Sequence, residues 1–67
     1  MKAKYFQDTD TLYLEFSDAR VVETRDLDDD TLLDYDATGK IVGLTIEHAK
    51  SRTGGSQIEL ETIGAEQ

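Results

Sequence analysis

The chain has 67 residues, 37% of them hydrophobic and 33% charged, with no cysteine and no proline. A chain of this length supports one domain with a small core, burying about 60% of its unfolded surface, and the lack of cysteine excludes disulfides, thiolate metal sites and thiol catalysis. Fifteen acidic residues against seven basic ones leave a net charge of −8, which opposes direct contact with nucleic acid or anionic membranes.

No apolar run has the length of a signal sequence or a membrane span, so the expectation is a soluble, cytoplasmic protein. Lys2 to Phe6 places Ala3 and Tyr5 on one side of a first strand, and Gln7 to Asp10 are turn formers. Thr11 to Phe16 alternates strictly, with Leu12, Leu14 and Phe16 on one side and Tyr13 and Glu15 on the other, as a half-buried strand requires. These two strands form a hairpin. Ala19 to Arg25 carries the β-branched residues Val21, Val22 and Thr24 and reads as a third, more exposed strand. The aspartate-rich segment from Asp26 begins as a loop and re-enters the sheet near Thr31, giving a fourth strand to about Tyr35.

Asp36 to Lys40 has hairpin-loop chemistry, with Gly39 where a left-handed residue is needed. Ile41 to Glu47 is then the fifth strand. A three-residue loop sets Tyr35 opposite Ile41; a four-residue loop sets Tyr35 opposite Lys40 and Leu33 opposite Val42. The second gathers Leu33, Val42, Leu44 and Ile46 on one face and is preferred, because a one-residue slip inverts every side chain. The expected core is Leu12, Leu14, Phe16, Leu33, Val42, Leu44 and Ile46. His48 to Arg52 makes one helical turn, ended by Gly54 and Gly55, and the tail from Gln57 to Ile63 is, in order of preference, a strand, a short helix or frayed. The organisation is a β-meander domain over residues 1–53 and a tail over residues 54–67.

Each reading that carries chemistry has a plainer competitor. Asp26, Asp28, Asp30 and Asp34 fall at positions one, three, five and nine of a calcium loop, but position six is Thr31 instead of Gly and position twelve is Ala37 instead of Glu. A solvated acidic loop is the better reading. His48, the one histidine, has no second ligand or activated serine at a useful spacing. The carboxylate pairs Asp34 with Asp36 and Glu59 with Glu61 lie on single strand sides, yet so short a chain hardly encloses a substrate, which also disfavours a metal-assisted hydrolase built on aspartates. Lys50 to Ser56 lacks the phosphate-loop pattern, and base stacking on Tyr5, Phe6 and Tyr13 is opposed by the net charge. No catalytic, cofactor or metal residue is assigned, and an enzyme is not expected.

Tyr5, Asp10, Leu12 and Tyr13, followed by Asp34, Tyr35, Asp36, Gly39, Gly43 and Ile46, stand in an order and spacing that resembles the small bacterial and archaeal family termed domain of unknown function 2283. The resemblance covers residues 1–52 and implies a compact β-meander with a short C-terminal helix and no established activity; some members are suspected antitoxin partners of small toxins. The expectation is a mainly β, non-enzymatic interaction protein. Its partners are a second copy of itself or a basic protein, or it is a purely structural homo-oligomer. Leu32, Ile41 and Tyr13 fall on the face opposite the core, so they and the tail residues Ile58, Leu60 and Ile63 form the expected interface.

Overall fold

A computed structural model describes residues 1–54 and 61–64. In chain order the elements are β1 (Lys2–Phe6), β2 (Thr11–Glu15), β3 (Glu23–Asp28), β4 (Thr31–Tyr35), β5 (Ile41–Glu47) and α1 (Ala49–Thr53). Every pairing is antiparallel, and the strands lie in the order β1-β2-β5-β4-β3. The chain makes one hairpin, steps to the far edge of the sheet, and returns through a three-stranded meander whose last strand closes on β2. The expected mainly β fold of five antiparallel strands with a short helix is present.

The step to the far edge corrects the third strand, which runs over Glu23–Asp28 and not from Ala19 to Arg25. Residues between Ser17 and Val22 are needed to pass β5 and β4, so the β-branched pair Val21 and Val22 is spent on the crossing despite its strand propensity. Pairing with β4 resumes only when the Val22 amide reaches the Tyr35 carbonyl at 2.9 Å. β2 likewise ends at Glu15. The amides of Phe16 and Ser17 both turn to the Val42 carbonyl, at 2.7 and 3.3 Å, and Phe16 is 42% exposed where the sequence places it in the core.

The register of the last hairpin is a second correction. Leu33 lies opposite Leu44 and Tyr35 opposite Ile41, with a bulge between the pairings of Asp34 and Tyr35. The loop mouth has the three-residue form, closed by Asp36 N–H to the Lys40 carbonyl and Gly39 N–H to the Asp36 carbonyl, with Gly39 at φ 85°. A type I turn followed by one left-handed residue gives this geometry. Past the bulge the register is two residues from the expected one. A shift of two preserves the faces, so Leu33, Leu44 and Ile46 still share a side.

That side also carries Leu12 and Leu14 from β2 and Ala3 and Tyr5 from β1, as their direct pairings require. Its burial is incomplete. Among the described residues only Thr31, Val42, Gly43 and Ala49 are buried, no large side chain is fully buried, and Leu12, Leu14, Leu33, Leu44 and Ile46 are half-buried. α1 covers just one end of this face, where Arg52 donates to the Thr31 hydroxyl at 3.1 Å. Ile58 and Leu60 of the expected tail strand lie outside the described residues; residues 61–64 have no regular secondary structure, and Ile63 is 81% exposed.

Candidate functional site

The two faces of the sheet differ in chemistry because each strand alternates. On the polar face Lys2 and Lys4 of β1, Tyr13 and Glu15 of β2, Thr45 and Glu47 of β5, Leu32 and Asp34 of β4, and Thr24 and Asp26 of β3 share a side by register. Lys4 pairs with Glu15 at 3.3 Å. Tyr13 leans across β5 and donates its hydroxyl to Asp34 at 3.1 Å, and Asp34 accepts a second bond from Thr24 at 2.7 Å. This polar row spans β2 to β3. It passes over Gly43, where a side-chain carbon would collide with the Tyr13 hydroxyl and ring. Partial burial and the Asp34 carboxylate together hold the Tyr13 phenol above its ordinary pKa.

A second polar cluster secures α1. Asp10 takes a left-handed backbone (φ 56°) at the end of the first turn, accepts the Tyr5 hydroxyl at 2.6 Å, and receives the Lys50 amide on both carboxylate oxygens at 3.1 and 3.2 Å. Its carbonyl accepts the Ala49 amide at 3.0 Å. His48, which precedes the helix with φ 55°, offers no side-chain cap, so Asp10 supplies from another loop what an N-cap residue supplies locally. The ring of His48 instead meets Asp30 at 2.8 Å through Nδ1, which raises its pKa.

The residues expected to carry chemistry are dispersed into such roles. Asp26 lies within β3, Asp28 accepts the Asp30 amide at 2.9 Å, and Asp34 belongs to the Tyr13 row. Asp36 holds the hairpin by accepting the Thr38 amide and hydroxyl and the Lys40 amide at 2.7–3.0 Å, which lowers its pKa. Among the described residues no three His, Asp or Glu side chains are grouped to hold a metal ion, and no buried side-chain polar atom lacks a partner. Glu59 lies outside the described residues.

Of the expected interface residues, Tyr13 is engaged by Asp34, Leu32 is half-buried on the same polar face, and Ile41 sits at the bulge, 44% exposed. The surface with unmet demand is the other one. On the apolar face β2, β5 and β4 contribute Leu12, Leu14, Leu44, Ile46, Thr31, Leu33 and Tyr35, and no charge. Charge returns at the rim, where Arg25 stacks over Tyr35 at 4.9 Å and bonds Glu23 at 2.8 Å, and at the helix end, where Arg52 reaches Thr31 and lies 4.0 Å from Asp28. Sequence reasoning missed the Asp10 clamp, whose partners are 40 residues apart; the isolated Gly43 within a strand was the one available signal for the Tyr13 crossing.

A family model described as a protein of unknown function (DUF2283) matches residues 2–50, and the chain belongs to that family. No curated protein and no solved structure matches. No helix among the described residues is long and apolar enough to cross a membrane.

Proposed function

We propose that this chain is a non-enzymatic interaction protein, a small acidic sheet whose work is to hold another polypeptide. The observation that carries this reading is an apolar face that the described residues only half cover: a sheet hydrophobic on one side needs a second layer, and α1, with five residues, covers one end. The polar clusters support the same reading, since each of their side chains is occupied in fixing a turn, a helix end or a strand crossing.

An antitoxin-like role toward a small basic protein is the finer form of the proposal. A net charge of −8 accelerates encounter with a basic surface and disfavours acidic ones. The test is co-expression with a small basic protein encoded beside this one, followed by titration calorimetry of the purified pair. A stoichiometric complex that weakens as salt rises is the expected result. Absence of any heat with that protein, or hydrolytic activity that appears on adding a divalent cation, would count against the reading.

A further inference from the structure

We propose that the apolar face formed by Leu12, Leu14, Leu33, Leu44 and Ile46, with Phe16 at its margin, is the interface between two copies of this chain, packed sheet on sheet about a twofold axis. This deepens the interaction reading by naming the surface used and a second copy as its occupant.

The other routes to association are guarded. β1 is an edge strand with Lys2 and Lys4, and β3 is an edge strand with Glu23, Asp26 and Asp28 and a bulge between the pairings of Asp26 and Asp28. Edge lysines, charges and bulges are the devices by which sheets avoid pairing edge to edge. The polar face is occupied by its own bonds from Tyr13 and Thr24 to Asp34, and from Lys4 to Glu15. Among the described residues, only the apolar face has no charge on its three inner strands and is left half-covered.

Its make-up favours a copy over a basic partner. The three inner strands present no charged residue there, so a cationic surface would meet no countercharge. An apolar centre rimmed by Tyr5, Tyr35 and Arg25 has the anatomy of a self-complementary interface, depleted of charge in the middle and enriched in aromatic and Arg side chains at the edge. Of the acidic groups on the strands, Glu23 and Asp28 border this face on the β3 edge, where Arg25 and Arg52 stand 2.8 and 4.0 Å from them, while Glu15, Asp26, Asp34 and Glu47 lie on the opposite face. Two sheets packed face to face stand about 10 Å apart, and at physiological salt the Debye length is about 8 Å. Nor does the chain offer a disulfide to replace the missing layer, having no cysteine.

The contact is small. Five strands about 4.8 Å apart and five residues of about 3.3 Å each give a flat footprint of about 400 Å² per copy, at the low end of specific interfaces, below about 1,200 Å² in total. The equilibrium is therefore reversible and concentration-dependent.

Sedimentation equilibrium of the full chain, from about 1 μM to about 1 mM so as to bracket micromolar affinity, reads the association directly. The mass should rise from 7.5 kDa toward twice that value. Isotope-filtered NOEs between labelled and unlabelled copies should connect the methyl groups of Leu14, Leu33 and Leu44. Phe16→Glu should raise the dissociation constant at least about tenfold by setting a charge against an apolar surface, whereas Lys2→Gln on the polar face should leave it unchanged. If Phe16→Glu fails to fold, the NOEs of the native chain decide. A monomer at every concentration overturns the inference but leaves binding to a different protein standing, so the two readings fail separately. Intermolecular NOEs from Tyr13 and Leu32, or a folded Phe16→Glu that associates normally, also overturn it.

Discussion

At the scale of single residues, the polar row on the sheet makes Gly43 a position where the usual propensity rule inverts. Replacing glycine by alanine within a strand ordinarily stabilises it, because glycine loses more freedom on folding and has no side chain to pack. At Gly43 the added carbon enters the space of the Tyr13 hydroxyl and ring. The ring must then leave, taking with it the bond to Asp34 and exposing half-buried neighbours. Gly43→Ala should therefore destabilise the chain by about 1–3 kcal/mol, the range for forced overpacking, as measured by urea denaturation. In a Tyr13→Leu background the same substitution should do much less harm, since Tyr13 and Gly43 are coupled through one contact. Additive effects in that double-mutant cycle would mean that the crossing of Tyr13 over β5 is not what excludes a side chain. Gly39 makes a useful contrast: it needs its glycine for φ 85°, with open space around it.

At the scale of elements, α1 is too short to persist alone, because helix nucleation is unfavourable and five residues gain few internal bonds. Its position depends on the Asp10 carboxylate at the Lys50 amide and on the Asp10 carbonyl at the Ala49 amide. Asp10→Ala should cost about 1–2 kcal/mol, as for loss of an N-cap with a strained left-handed residue added. Hydrogen exchange should show where: protection of the Ala49 and Lys50 amides falls while Leu33 and Leu44 keep theirs. Equal loss across the sheet would show that α1 is not held separately. The existence of the helix, its end at Gly54 and four of the five strands were legible, because Leu12 and Leu14, the Asp36 to Gly39 turn and the glycine stop are local signals. The third strand was not, since Val21 and Val22 have strand propensity and only the need to cross the sheet places them outside it. The bulge was hidden for a related reason: hydrophobic alternation reports which face a residue takes, and faces are unchanged when the register moves by two. The candidate site was legible in its leucines and illegible in its accessibility, which depends on how α1 and the strand crossings pack against them.

For the whole molecule, the direction of each pKa shift defines a window of greatest stability. His48 is raised above 6.5, first by its bond to Asp30 and then by the charge of that carboxylate. Its contribution is therefore complete below pH 6.5 and is lost as pH rises through the folded-state value. Glu23, Asp28 and Asp36 are lowered from 4.5, 3.8 and 3.8, chiefly by bonds from Arg25, the Asp30 amide and Thr38. Their contributions are present above those ordinary values and disappear as pH falls through the folded ones. Tyr5 and Tyr13 are raised above 10.0, so theirs fade only in strong alkali. The melting temperature should accordingly be highest between about pH 4.5 and 6.5 and decline toward pH 8. General repulsion among the −8 charges also eases as carboxylates protonate, but that process belongs to lower pH, and salt reduces it by screening. His48→Gln separates the two causes. It should flatten the decline between pH 6 and pH 8 and leave the acid limb in place, as followed by thermal circular dichroism at fixed protein concentration, since self-association would itself shift the melting point. An unchanged slope in that variant would assign the alkaline decline to something other than the pairing of His48 with Asp30.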